Sequence, residues 1–322
     1  MKFFISEMKT RDRLDVYLSR EIKYLTRTYI KKLIEKGGVT INKKLITLPS
    51  TIVRYNDIIS INIIQSENKK IIPSQIKIEV IYEDDSIVIV NKPKGMIVHP
   101  GAGNTSNTLA NALAYKFKNN LSDINGKLRP GIVHRIDKET SGILVIAKNN
   151  FAHSNLSKQF SEHTIKRKYQ CLIWGVIRPL NGRIETLIAR SKKNRQLMSV
   201  SEINGKKAVT NYRTIKVFDS KDIPKISLLE CELETGRTHQ IRVHLKYKGT
   251  SILGDKKYGK KNLKFRKINK SFSELHSNIN GQALHAGSLE FKHPVKEKWL
   301  KFKTNLPTDF KNMLNFLEKL DG

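Results

Sequence analysis

The sequence is poor in cysteine, short of acid and without a long apolar run, and each absence removes a class of protein. Cys171 and Cys231 are the only two cysteines in 322 residues. They are too few for a disulfide framework and lack metal-ligand spacing. Both lie in apolar, strand-like surroundings, so two buried reduced thiols in a cytoplasmic protein are expected. No stretch approaches the roughly 20 apolar residues of a membrane helix. The start Met1-Lys2-Phe3-Phe4-Ile5-Ser6-Glu7 lacks a signal-peptide cleavage pattern. No G-x-G-x-x-G follows a strand pattern and no G-x-x-x-x-G-K-[ST] occurs, so no nucleotide cradle is indicated. With no H-E-x-x-H and no cysteine pairing, zinc is not indicated either. Neither a cofactor nor a metal is expected.

The missing acid matters most. Lys and Arg number 60 against 29 Asp and Glu, a formal net charge of +31. A field of that sign and size suits a polyanion, and nucleic acid is the default partner. Part of the excess reflects a chain crowded with Lys, Ile and Asn, which places Lys on every solvated face. The remainder favours RNA or DNA over a neutral substrate. Hydrophobic residues are 39% of the chain, enough for an ordinary core.

Residues 1–64 read as a unit of their own. Leu14 and Leu18 share one face of a short helix; Ile30, Leu33 and Ile34 repeat the spacing on a second, which Gly37-Gly38 can end. Val39 and Ile41 alternate with Thr40 and Asn42 as a strand, Asn42-Lys43-Lys44 is a turn, and Ile58 to Ile63 closes a small sheet. Arg13, Arg20, Arg27, Lys31, Lys32, Lys43 and Lys44 stud this unit. Residues 65–75 lack periodicity and read as a linker. Residues 76–322 form the larger domain. In it Ile87 to Val90 is a strand leading into Asn91-Lys92-Pro93. Leu229, Cys231 and Leu233 alternate with Glu230, Glu232 and Glu234 as a half-buried strand. After a turn at Gly236, Ile241 and Leu245 lie at helical spacing. Strands and helices do not alternate in a βαβ rhythm, so a mixed, largely antiparallel sheet with flanking helices is expected, an α+β architecture. The Lys- and Arg-rich segment 256–270 reads as a mobile surface loop.

The densest chemistry lies in Gly131-Ile132-Val133-His134-Arg135-Ile136-Asp137-Lys138-Glu139-Thr140-Ser141-Gly142, which feeds directly into Ile143-Leu144-Val145-Ile146-Ala147. The second run is short and β-branched, a buried strand. Asp137 therefore stands at the mouth of a core strand on a short, stiff connection, a good place to hold a functional group. Taken alone, Asp137 is better explained as a turn cap before Thr140-Ser141-Gly142.

His134-Arg135-Ile136-Asp137 with Thr140-Ser141-Gly142 resembles the signature of the RluA-type pseudouridine synthases of ribosomal large-subunit RNA. Further blocks match that family in order. They are Asn91-Lys92-Pro93-Lys94-Gly95-Met96, Val98-His99-Pro100-Gly101-Ala102-Gly103-Asn104, Lys168-Tyr169 and Glu234-Thr235-Gly236-Arg237-Thr238-His239-Gln240-Ile241-Arg242-Val243-His244-Leu245. Gly254-Asp255 with Tyr258-Gly259, and Gln282-Ala283-Leu284-His285-Ala286, complete the set. Residues 1–64 resemble an S4 RNA-binding domain through Arg13-Leu14-Asp15 and Gly38-Val39-Thr40-Ile41-Asn42, although Asn56-Asp57-Ile58 departs from its usual Gly-Asp-x-Ile.

The resemblance implies an isomerase that needs no cofactor. Uracil leaves C1′ through N1 and returns through C5. It implies Asp137 as the catalytic carboxylate, Arg242 as its partner and Tyr169 as the aromatic stacked on the target uracil. Physically, a nearby Arg keeps an enclosed Asp ionised and fixes its rotamer. Arg135 is expected to fill the space of the extruded nucleotide; His134, Arg237 and Ile241 complete the substrate wall, with His134 also positioning its loop. Arg237 and His244 are alternative phosphate contacts, and His99, His239 and His285 are hydrogen-bonding scaffold. In the small unit Arg13, Arg27, Lys31, Lys32 and Lys43 are the expected RNA contacts. Within the family, the Val98 to Asn104 block and the S4-like unit resemble the members that act on 23S ribosomal RNA or the assembling large subunit, which implies uridines of the helix 69 stem-loop as the target; a monomer is expected. A sister synthase acting on other 23S uridines, and a non-catalytic RNA-binding assembly factor, are the rivals.

Overall fold

The computed structural model describes residues 2–4, 12–22, 27–62, 71–101, 104–118, 120–126, 128–259 and 269–321. The chain divides into two compact units, Met1–Lys69 and Lys70–Gly322.

The first unit runs β1 (Lys2–Phe4), α1 (Leu14–Glu21), α2 (Arg27–Glu35), β2 (Val39–Ile41), β3 (Lys44–Ile46) and β4 (Ile58–Ile61). Its sheet has the order β1-β4-β2-β3. Leu14, Leu18, Ile30 and Ile34, spaced as one helical face, are fully buried with Val39 and Ile59 of the sheet. The turn from β2 to β3 is Asn42-Lys43, both at positive φ, the geometry that matches the twist of a two-residue hairpin. The sequence reading missed β1, which pairs with β4 from the far end of the unit. Ile63, expected in the closing strand, lies outside the described residues.

The second unit begins with a strap. Residues 71–75, expected within the linker, are fastened to it: Asn111 donates from Nδ2 to the Ile72 carbonyl at 2.7 Å, and Ile71 packs on the core. The order is then β5 (Glu79–Glu83), β6 (Ile87–Lys92), α3 (Leu109–Phe117), β7 (Ser141–Ala147), α4 (Asn150–Ser161), β8 (Lys166–Trp174), β9 (Asn181–Arg190) and β10 (Met198–Ser201). β11 (Lys206–Phe218), β12 (Ile226–Leu233), α5 (Gln240–Tyr247), α6 (Lys270–Asn278), β13 (Leu284–Lys292), β14 (Trp299–Lys303) and α7 (Thr308–Asp321) follow. Ten strands form one sheet in the order β10-β9-β11-β12-β8-β13-β7-β6-β5, with β14 branching from β13.

The architecture is α+β. Among the described strand pairs of this sheet, β13 with β7 is the one parallel pair, short, with His285 opposite Ser141 and Ala286 opposite Gly142. It joins two antiparallel halves. β7 is buried along all seven residues because both its faces are covered. Leu144 and Ile146 enter one core; Ile143 and Val145 enter another under α4. The same period of two runs through β6. The Cys171 and Cys231 thiols are buried on adjacent strands β8 and β12, 4.0 Å apart. Tyr258, at the head of the expected surface loop 256–270, is buried at 4% exposure; residues 260–268 lie outside the described residues. No described helix is long and apolar enough to cross a membrane.

The parallel junction depends on Gly142. Its φ is +121°, and a Cβ there would stand 2.2 Å from the Ala286 carbonyl oxygen. Gly142→Ala should therefore lower stability by about 3 kcal/mol or more, read as a fall in the urea midpoint.

Candidate active site

The loop from Ile136 to Thr140 is held from several sides before it enters β7. Lys92, fully buried at the end of β6, donates from Nζ to the carbonyls of Pro93 (2.7 Å), Met96 (2.8 Å) and Lys138 (3.1 Å). Burial pushes its pKa down to about 7, with Glu139 and Asp137 pulling the other way. Gly95 N–H also donates to the Lys138 carbonyl at 3.0 Å. Gln282 donates to Thr140 Oγ1 at 2.9 Å, and Ser141 Oγ meets His285 Nδ1 at 2.8 Å across the parallel junction. A loop so fastened fixes the direction of Asp137.

Asp137 is 19% exposed through its side chain, and Arg242 Nη1 donates to its Oδ2 at 2.8 Å. The guanidinium is itself gripped from behind. Asp255, fully buried in its side chain, accepts from Arg242 Nε at 2.7 Å and Nη2 at 2.8 Å. Asp255 Oδ1 also accepts the backbone N–H groups of Lys257 (2.9 Å) and Tyr258 (3.0 Å). Burial opposes charge on both partners. The pair overcomes it, so Arg242 titrates well above, and Asp255 below, their ordinary ranges. The Tyr258 ring lies under the guanidinium, 4.9 Å from centroid to Cζ. Arg242 is thus locked on three sides and presents one nitrogen to Asp137.

Oδ1 of Asp137 is left toward the cavity, with His239 Nε2 at 3.9 Å. His239 caps α5 in the left-handed region, φ +57°. Its Nδ1 meets the Tyr258 hydroxyl at 2.8 Å, and that hydroxyl accepts from Met198 N–H at 2.9 Å. Burial lowers the His239 pKa, while Asp137 raises it.

Tyr169 projects from β8 into the same cavity, 7% exposed. Burial raises its pKa, and Asp137 adds to the rise against the opposing charge of Arg167, so the phenol is protonated at neutral pH. Ile136, Ile241 and Leu284 supply apolar wall, and the cavity measures about 640 Å³. Asp137, Arg242, Tyr169 and Ile241 therefore converge from one loop, α5 and β8.

The other expected residues take varied positions. Arg135 is exposed at the rim, with Nη1 donating to His99 Nε2 at 3.1 Å. His134 stands in the wall, but its Nε2 accepts the Val145 N–H at 3.0 Å and its ring lies against Phe160. Burial depresses its pKa to about 3, so it stays neutral. Arg237 lines the cavity and donates from Nε to the Lys207 carbonyl at 2.9 Å. His244 is no phosphate contact: it is fully buried, with its nitrogens on Thr186 (3.0 Å) and Thr210 (2.9 Å). In the first unit Arg13, Arg27 and Lys31 gather on buried Asp15 at 3.0, 2.8 and 3.7 Å. Burial opposes the Asp15 charge, and hydrogen bonds from Arg27 and Arg13 outweigh it and lower its pKa. Lys32 and Lys43 are exposed. Sequence reasoning placed Lys92, Asp255 and Tyr258 in motifs without giving them a task, and it passed over Arg167. The period of two along β8 puts Arg167 on the same side as Tyr169.

Comparison with known proteins fits this arrangement. Residues 86–247 match the RNA pseudouridylate synthase family and residues 12–59 the S4 domain. An uncharacterised RNA pseudouridine synthase of Aquifex aeolicus is 41% identical over 308 residues, covering 96% of this chain and 94% of its own. The ribosomal large subunit pseudouridine synthase D of Zymomonas mobilis is 42% identical, with 95% and 93% covered. The solved structure of the human RNA Pseudouridylate Synthase Domain Containing 4 superposes with a TM-score of 0.55 at 25% identity, covering 74% of this chain and 93% of that one. The fold and cleft are those of an RNA-modifying isomerase. The chain belongs to the RNA pseudouridylate synthase family and carries an S4 domain at its N-terminal end.

The three-way lock on Arg242 has a measurable sign. The Asp255 contribution to stability is complete above its unfolded pKa of about 4 and is lost as pH falls through the lower folded value. Arg242→Met strands a buried carboxylate and should cost about 3–5 kcal/mol at pH 7. An unpaired buried carboxylate has its pKa raised, so the deficit should shrink between pH 7 and pH 5. Denaturant melts at the two pH values read both effects.

Proposed function

We propose that this chain converts uridines of 23S ribosomal RNA to pseudouridine, in the helix 69 stem-loop, with Asp137 as the catalytic carboxylate. The single observation that carries the reading is the Asp137–Arg242 contact at 2.8 Å inside a cavity shared with Tyr169. The Zymomonas relative is named for the large ribosomal subunit. The S4 match and the net charge of +31 favour an RNA of that kind. In this reading residues 1–64 bind RNA, 65–75 link, and 76–322 carry the catalysis, within the cytoplasm.

The reaction breaks the N1–C1′ bond, turns the base and forms a C5–C1′ bond; C5 loses a proton and N1 gains one. Arg242 engages Asp137 through Oδ2 and leaves Oδ1 to react. An ionised, fixed carboxylate serves attack at C1′, addition to the base or proton abstraction from C2′, and all three need the same geometry. The Tyr169 face stacks on the extruded uracil, a contact worth about 1–3 kcal/mol per base. Arg135 enters the space that the nucleotide leaves, which offsets part of the few kcal/mol of unstacking.

Release of tritium from [5-³H]uridine in a helix 69 RNA tests this. Wild type should release it and Asp137→Asn should not, while both bind the RNA with similar affinity and a steep loss of binding as salt rises. Binding without release by wild type would make the chain an RNA-binding assembly factor. Pseudouridine missing elsewhere in 23S RNA from cells lacking the protein, with helix 69 intact, would move the target to the sister enzyme's sites.

A further inference from the structure

Among the described residues Arg167 is a buried cation without a counter-ion. It is 8% exposed and lines the same cavity as Asp137. Its Nη2 donates to the carbonyls of Leu233 (3.3 Å) and Glu234 (3.2 Å). Nε is buried, and among the described residues neither Nε nor Nη1 has a hydrogen-bond partner. The Glu234 carboxylate is turned elsewhere, to Arg183 and Asn211. The nearby cation Arg237 makes matters worse: burial lowers the Arg167 pKa, and Arg237 pushes it the same way. Arg242, by contrast, has two carboxylates.

The guanidinium is nevertheless held in place. Its Cζ lies 5.4 Å from the Phe160 ring centroid, and Gly236 leaves room on another side, where a Cβ would stand 2.7 Å from Nη1. Two guanidinium groups kept together in a cleft, with no acid between them, are unfavourable until an anion arrives. Arg167 lies two residues from Tyr169 on β8, one step along the wall from where the uracil is proposed to stack. Adjacent phosphates on an RNA strand lie within reach of such a step.

We propose that Arg167 and Arg237 form a subsite for one phosphodiester of the substrate strand, next to the uridine being isomerised. This rests on the function proposed above and names a contact that fixes the register of the strand relative to Asp137. The ligand is a backbone phosphate oxygen, so the subsite is blind to base identity.

The test is a chemical double-mutant cycle. Substrate RNAs carry single neutral methylphosphonate linkages, on 2′-deoxy sugars, scanned across the positions flanking the target uridine. With wild type, one linkage should weaken binding about tenfold, the size of one charge-assisted hydrogen bond. With Arg167→Met the all-phosphate RNA should bind about tenfold more weakly, and that linkage should cost nothing further. The salt slope of binding should fall by about 0.7, one single-strand contact. Arg167→Lys should restore part of the affinity. Arg167→Met should raise KM for tritium release by a larger factor than it lowers kcat. Gly236→Ala offers a second route if Arg167→Met fails to fold, because it displaces Nη1 without removing the charge; it too should blunt the linkage effect. A scan of wild type with no sensitive linkage overturns the subsite, as does a linkage that costs the same in wild type and variant. A fall in kcat at unchanged KM would also overturn it, by assigning Arg167 to the departing base. Loss of release in wild type itself would instead reject the proposed function.

Discussion

The site is organised around one guanidinium with two carboxylates. Asp255 is the buried anchor and Asp137 the exposed outlet, and Arg242 is fixed by the first so that it can hold the second. A lone Arg–Asp pair at a cavity wall would leave the guanidinium free to swing. Here Nε and Nη2 are both committed to Asp255, and the Tyr258 ring closes one face. The cost of burying Arg242 and Asp255 is offset by five short polar contacts, three from guanidinium nitrogens and two from backbone amides, an arrangement that leaves little reorganisation to be done when substrate enters.

The sheet brings these groups together through an irregularity. Two antiparallel halves meet at a short parallel pairing of β13 with β7, and the catalytic loop runs into β7 at that pairing, directly before Ser141. Gly142 lets the backbones touch, and the Ser141–His285 contact pins them. Lys92 ties the far side of the loop, through the Lys138 carbonyl, to the Pro93–Met96 turn. The scaffold thus spends several buried polar groups on the direction of one side chain, as expected where position matters more than stability.

Much of this was legible beforehand, for particular reasons. The run Ile143 to Ala147 has no polar gap, so its burial on both faces could be read directly. The Leu14, Leu18 and Ile30, Ile34 spacings gave both helices of the small unit. The pairing of Arg242 with Asp137 came from resemblance, since a separation of 105 residues carries no local signal. Asp255 was hidden for the same reason: a Gly-Asp step looks like a turn until the fold places a guanidinium beside it. His244 misled because polar residues on an amphipathic helix look solvent-facing, whereas two threonine hydroxyls from β9 and β11 receive it in the interior. The Lys92 ammonium sits inside the core on three carbonyls, an arrangement that composition would assign to the surface.

The long-range closure of the site sets when the protein can first act. Arg242 reaches back 105 residues to Asp137, and His285 reaches back 144 to Ser141. β13 lies between β7 and β8 in space but emerges from the ribosome long after both. A nascent chain that has released β5 to α5 therefore carries Asp137, Tyr169 and Arg242 but still lacks the strand that joins the halves bearing them. Until that late strand pairs with β7 on one side and β8 on the other, no strand pairing holds those two halves of the sheet together.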